Sequence, residues 1–181
     1  MTSYSTDTNA ISPYLSDESS AFTGRAERVY LPASVEEVAS VLRDAVKQGV
    51  GVTVSGGGTS ITGARVPTTG GWVLATDRLC SASGPAADGQ SEWVRIAAGD
   101  GAIYLDAAGR RARVPAGIRL SDLDSALAPH GLFYPPTLTE TSAMIGGTIA
   151  TNASGARSYR YGPTRCWVDG VRVVTPRGDN L

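Results

Sequence analysis

Val52-Thr53-Val54-Ser55-Gly56-Gly57-Gly58-Thr59-Ser60-Ile61-Thr62-Gly63 is the stretch on which the reading of this chain turns. Three β-favouring residues run into three successive glycines. Without a Cβ, Gly56, Gly57 and Gly58 have free access to φ > 0, which lets backbone N–H groups converge into an anion-binding nest. Thr59 and Ser60 add hydroxyl donors, and Ile61 and Gly63 complete the loop. A plain flexible turn is the competing use of such glycines. Two common phosphate motifs fail here. If Gly58 and Gly63 were the glycines of a P-loop, Lys and Ser or Thr would follow, and the chain has Ala64 and Arg65. The sixth position from Gly56, a glycine in dinucleotide-binding fingerprints, is Ile61.

Upstream of the loop lies a strand–helix–strand unit. Residues 28–31 read as a strand ended by Pro32. Ser34 is placed to cap a helix, with Glu37 completing a capping box. Val35, Val38, Ala39, Leu42, Ala45 and Val46 fall on one helical face. Gly49 stands where a C-cap glycine belongs. Residues 50–54 follow as a strand, so the loop lies at a strand's carboxyl end, where α/β sheets take ligands.

Downstream, Trp72–Thr76 reads as a strand and 81–91 as a loop. Short strands at 93–97, 102–106 and 111–114 form a β meander. Ser121 is expected to cap a helix ended by Gly131. A second informative stretch runs from Tyr134 to Gly155. Pro135-Pro136 fixes an extended approach. Thr137, Thr139, Thr141 and Ser142 are a dense run of hydroxyls. Gly146-Gly147 precedes a short helical segment at 148–153, which offers free N–H groups to an anion. Alone, this stretch is an ordinary Ser/Thr-rich loop; two anion-suited loops in one chain strengthen the binding reading. A strand at 171–175 and a turn at 176–179 follow.

Bulk properties narrow the function. The chain has 181 residues, 41% of them hydrophobic and 18% charged, with a net charge of −1. That balance suits a folded core and argues against nucleic acid or an anionic membrane as partner. Residues 1–24 read as a polar, mobile or loosely packed lead-in. No signal peptide or transmembrane segment is expected. Cys80 and Cys166 lack metal-type spacing and read as free, packed thiols of a cytoplasmic protein. No metal site is expected.

Several stretches resemble, in order, the FAD-binding domain of the vanillyl-alcohol oxidase and p-cresol methylhydroxylase superfamily. They are Pro32-Ala-Ser-Val-Glu-Glu-Val, Ser55-Gly-Gly-Gly-Thr-Ser-Ile, Pro136 through Ile145-Gly-Gly, Thr151-Asn-Ala-Ser-Gly, Tyr161-Gly and Val173-Val-Thr-Pro-Arg-Gly. Within the superfamily the chain looks most like the bacterial D-lactate dehydrogenase and glycolate oxidase type and the alkyl-dihydroxyacetonephosphate synthase type. The resemblance implies an α+β fold of two lobes, about 25–80 and 90–181, that bind FAD. Ser55, Gly56, Gly57, Gly58, Thr59, Ser60 and Ile61 would wrap the diphosphate, with Gly63 nearby. Pro136, Thr137, Thr139, Glu140, Thr141 and Ser142 would line the dinucleotide, as would Ile145, Gly146 and Gly147. Thr151, Asn152, Ala153 and Ser154, with Gly155, would sit at its adenosine or diphosphate end.

Departures from the family pattern sharpen the expectation. Ser55 stands where the family usually has a basic residue. Thr59 stands where covalently linked members carry histidine, so FAD is expected to be non-covalent. His130, the only histidine, reads as exposed or capping. The family's last FAD segment and its substrate domain do not occur in these residues. The implied function is therefore the FAD-binding portion of an oxidoreductase acting on a small substrate such as a 2-hydroxy acid. The alternative is a non-catalytic FAD-binding fragment or subunit acting only with a partner chain. A missing domain or partner would supply substrate contacts, the isolated chain would be catalytically silent, and uncovered apolar surface would favour self-association. No catalytic residue is assigned.

Overall fold

The computed structural model describes residues 2–84, 92–136 and 138–181. Thr137 and most of the expected 81–91 loop lie outside the described residues. Two compact units emerge: Met1–Arg78 with Gly170–Leu181, and Leu79–Asp169. This division differs from lobes at 25–80 and 90–181, because both ends of the chain join the first unit.

The first unit holds a four-stranded sheet. β1 (Tyr4–Ser5) pairs antiparallel with β2 (Arg28–Tyr30). Between them lies α1 (Thr8–Ile11), whose Ile11 packs with Val29, Val73 and Ala75 in a buried cluster. The lead-in is thus rooted in the core, correcting its reading as a loose segment. Tyr14 and Leu15 pack against the same cluster, so three apolar residues of a polar run suffice.

After β2 comes α2 (Val35–Gln48). Ser34 Oγ accepts the Glu37 N–H at 3.2 Å, as a capping residue should. Glu37 Oε2 reaches back to the Ala33 N–H at 2.8 Å, one residue earlier than a standard capping box. At the other end Gly49 has φ 66°, and the Val50 N–H donates to Ala45 O at 3.0 Å. Val38, Ala39, Val41 and Ala45 are buried. Val46, expected on that face, is 59% exposed. Ala39 is covered because Gly178 of the C-terminal turn lies against its carbonyl. Val46, two turns further on, has no such cover.

Two parallel strands complete the sheet: β3 (Val52–Ser55) and β4 (Trp72–Ala75). The order is β1-β2-β4-β3, so β4 is flanked on both sides and β3 is an edge. All four β4 residues are buried, as an apolar run between two parallel neighbours must be. Trp72 stacks on Tyr30 at 5.1 Å, and the Arg28 guanidinium lies 4.9 Å over its ring. The expected strand at 171–175 is reduced to a single bridge between Val174 and Asn180. Around it the Val173 and Leu181 backbones exchange hydrogen bonds at 3.0 and 2.8 Å, and the Thr175 N–H donates to Asp179 O at 2.8 Å.

In the second unit β5 (Val94–Ala98), β6 (Gly101–Asp106) and β7 (Arg111–Arg113) form the expected antiparallel meander. Gly99, with φ 55°, makes the first turn. α3 (Leu120–Leu127) buries Leu120, Leu123 and Leu127 against Ala98, Ile103 and Leu105. Its N-cap is Arg119, without a side-chain cap bond, rather than Ser121. The Ser121 N–H donates to Thr141 O at 3.0 Å, because residues 118–121 pair with 141–145 and draw the helix start forward. A 3-10 turn at Ala128–His130 follows, ended by Gly131 with φ 67°. α4 (Ile145–Ala150) and α5 (Ser158–Tyr161) close the unit. Together the units give the α+β class that the sequence implied.

Removing the α2 cap tests this frame. Ser34→Ala should cost about 1 kcal/mol of stability. The expected result is a lower urea midpoint at unchanged slope, with the parent's circular dichroism retained.

Candidate functional site

The glycine loop leaves the carboxyl end of β3. Ser55 is fully buried and its carbonyl accepts the Thr76 N–H at 2.9 Å, tying the end of β3 to that of β4. Positive φ appears at Gly58 (85°) and Gly63 (74°), not at Gly56. The nest is therefore built on fewer special conformations than three glycines suggested. A Cβ at Gly58 would overlap Arg65 Nη1, whereas one at Gly56 would meet only Thr76 Oγ1, at 3.9 Å. Of the three, Gly58 is thus the one whose backbone conformation favours glycine.

The hydrogen bonds around the loop are one-sided. Among the described residues, the backbone N–H groups of Gly56, Gly57, Gly58, Thr59, Ser60 and Ile61 donate to no protein acceptor. Beyond them every amide to Gly63 is used: Thr62 N–H donates to Ser60 Oγ at 3.2 Å and Gly63 N–H to Asp17 Oδ2 at 2.7 Å. Six consecutive unspent donors after a strand end suit an anion with several oxygens. The Ile61 side chain is 73% exposed.

Residues that the sequence reading passed over hold this loop from outside. Asp17 is buried, and its Oδ1 accepts the Ser19 hydroxyl at 2.6 Å and the Ser19 N–H at 3.1 Å. The Ser19 hydroxyl bond is the main reason its carboxyl lies below the usual range, with the Gly63 and Ser19 amides and Arg65 adding to it against a smaller cost of burial. Glu18 N–H donates to Ser60 O at 3.1 Å. Arg65 Nη2 donates to Pro13 O at 3.0 Å, and its guanidinium lies 5.6 Å over the Tyr14 ring. Burial draws the Arg65 value down, against the pull of Asp77, Tyr14 and Asp17. The Tyr14 hydroxyl donates to Asp77 Oδ2 at 3.3 Å; burial, then Asp77, push it up to about 12. The Ser-Asp-Glu-Ser local pattern signals a turn at Asp17, but nothing local signals its partner at Gly63.

The second group lies within the second unit. Pro136 is buried, and Thr139, Glu140 and Thr141 are exposed. Ser142 spends its N–H and hydroxyl on Glu140 Oε1, at 2.9 and 2.6 Å. That hydroxyl is the first cause of the lowered Glu140 value. The expected short segment at 148–153 is instead α4, starting at Ile145, so both glycines lie in its first turn. Ile145 N–H donates to Ile118 O and Gly146 N–H to Ala116 O, each at 2.9 Å. Of the glycine pair only Gly147 keeps a free N–H among the described residues. Gly146 has a packing reason to be glycine, since a Cβ would come within 2.8 Å of the Ala116 Cβ.

The residues from Thr151 to Gly155 are chiefly braces. Thr151 Oγ1 donates to Gly147 O at 2.9 Å. Asn152, at φ 47°, accepts the Arg165 N–H on Oδ1 at 3.1 Å. Ala153 O accepts the Thr164 hydroxyl at 2.8 Å, and Gly155 N–H donates to Ser158 Oγ at 2.8 Å. Ser154 is exposed. Cys166, expected to pack, is exposed, because it stands on a one-turn 3-10 helix at the surface. No helix among the described residues is long and apolar enough to cross a membrane.

A family described as FAD binding domain matches residues 26–99 and 90–181. D-2-hydroxyglutarate dehydrogenase of Xanthomonas citri pv. viticola is 38% identical over 154 residues, 84% of this chain and 28% of that protein. D-lactate dehydrogenase of Archaeoglobus fulgidus is 34% identical over 150 residues, 83% of this chain and 29% of that protein. The chain thus spans less than a third of either relative. The solved structure of 6-hydroxy-D-nicotine oxidase from Arthrobacter nicotinovorans shares the fold, with TM-score 0.78 and 22% identity, over all of this chain and 35% of that one.

The Asp17 hydrogen bonds set a pH dependence. A carboxyl with a lowered value in the folded state stabilises it above the unfolded value, and that stabilisation is lost as pH falls through the folded value. The melting-temperature gap between the parent and Asp17→Asn should be constant above the ordinary aspartate value of 3.8 and narrow below it. Thermal melts across the acid range check this; a gap that widens on acidification would contradict it.

Proposed function

This chain belongs to the FAD-binding domain family, and from that premise we propose that it is the FAD-binding portion of an FAD-linked oxidoreductase that oxidises a small 2-hydroxy acid. One observation carries the reading. A run of six unspent amides, from Gly56 to Ile61, begins at the carboxyl end of β3 and includes Gly58, whose φ of 85° favours glycine. A diphosphate is an anion whose oxygens such a run satisfies, and peptide dipoles replace the basic side chain that Ser55 does not supply. Thr59, Ser60 and Gly63 belong to the same loop. Thr139, Glu140, Thr141, Gly147 and Ser154 are assigned to contacts with the same cofactor. Pro136, Ser142, Ile145, Gly146, Thr151, Asn152, Ala153 and Gly155 shape the backbone that presents them.

FAD supplies the redox chemistry when bound; these residues bind and orient it. The flavin is held without a covalent bond, since Thr59 replaces the linking histidine and His130 is exposed at the end of its 3-10 turn. The 2-hydroxy-acid class rests on the dehydrogenases to which the chain is similar. Two cysteines without a disulfide framework suit a cytoplasmic setting. Exposed Phe133 and Trp167 support self-association.

The purified full-length flavoprotein should be yellow, and a D-2-hydroxy acid should bleach its flavin absorbance anaerobically. A colourless protein that takes up no added FAD would overturn the reading. Gly58→Val should weaken FAD binding by about tenfold or more, since each lost hydrogen bond to a charged group is worth roughly 1.5–3 kcal/mol. Gly56→Ala should be milder. Acid precipitation should release all the flavin to the supernatant; colour left on the pellet would disprove a non-covalent link.

A further inference from the structure

We infer that Pro13–Glu18 is a clasp for the glycine loop and that Asp17 is a positioning residue for the dinucleotide, an inference that rests on the flavin reading above. The segment lies before residue 26, where the family match begins. It nevertheless meets the loop at two points and Arg65, just beyond it, at a third. Glu18 N–H takes the Ser60 carbonyl, Asp17 Oδ2 takes the Gly63 N–H, and Pro13 O takes Arg65 Nη2. None of these contacts consumes an amide from Gly56 to Ile61.

The Glu18 bond also sets direction. In a trans peptide the C=O and the following N–H point opposite ways, and no cis peptide occurs among the described residues. With Ser60 O turned onto Glu18, the Ile61 N–H faces away from the clasp. The Asp17 bond fixes the other shoulder, where Gly63 has φ 74° and Phe22 fills the space a Cβ would need. Without that bond, a glycine at positive φ has many other conformations open to it.

The clasp itself is firmly held. Ile11, just before it, is in the core cluster, and Leu15 O accepts the Gly24 N–H at 2.7 Å. Asp17 is aimed by the Ser19 hydroxyl and amide, so its second oxygen is presented to Gly63 without rotamer freedom. Holding donors in place before the ligand arrives lowers the ordering cost of binding.

The test uses the full-length flavoprotein, stripped of flavin and titrated with FAD by fluorescence quenching. Apoprotein urea midpoints are measured in parallel. Asp17→Ala should weaken FAD binding at least tenfold and speed flavin release. Ser34→Ala, a stability control remote from the loop in sequence, should leave affinity within twofold. Asp17→Asn, which keeps one acceptor for Gly63, should recover part of the loss. FAD affinity within twofold of the parent in Asp17→Ala would overturn the inference. An equal loss in Ser34→Ala would overturn it too, reducing the effect to general stability. Should Asp17→Ala not fold, Ser19→Ala is read by the same criterion. A parent that binds no FAD fails the flavin reading first, and the inference falls with it.

Discussion

A backbone N–H without an acceptor in its own chain must find one in solvent or in a ligand. That constraint governs the first unit. Its parallel strands satisfy one another through Ser55, and the ladder stops there. The next six amides are released from pairing, and the seventh and eighth are captured again by Ser60 Oγ and Asp17. The loop is therefore rigid at its shoulders and open along its crest. Such a division suits a ligand that is all acceptor.

Electrostatics follows from the same arrangement. Ser55 is buried and neutral, so no side-chain cation sits at the strand end. Arg65 lies beside Gly58, donates through Nη2 to Pro13 O, and has Asp17, Asp77 and Tyr14 around it. Attraction for a diphosphate then comes from Arg65 and, along the crest, from peptide dipoles. Unlike a mobile lysine, these cost little conformational entropy on binding and are set by the fold.

How much of this was legible in the sequence depended on range. α2 could be read because Ser34, Glu37 and Gly49 act within one turn of themselves. The glycine loop could be read because its chemistry is contiguous. Asp17 could not, since its partner Gly63 is far along the chain and only the fold joins them. The start of α3 was misjudged for a related reason: pairing of 118–121 with 141–145 overrode the capping preference of Ser121. Gly146 looked like an anion-site glycine, yet its N–H belongs to Ala116 and its missing side chain serves close packing. Composition marks where glycine is needed but does not separate binding from packing.

The tryptophans give the two units separate optical identities. Trp72 is wholly buried in the central strand of the first unit, beneath the Arg28 guanidinium and beside Tyr30. Trp167, in the second unit, is 45% exposed, and its indole N–H donates to Tyr161 O at 2.9 Å. A buried indole emits at shorter wavelength than a wet one, and dissolved iodide reaches only the latter. Trp93, also in the second unit, is half-buried, so the one wholly buried indole reports on the sheet that carries the glycine loop and the two wetter ones report on the second unit.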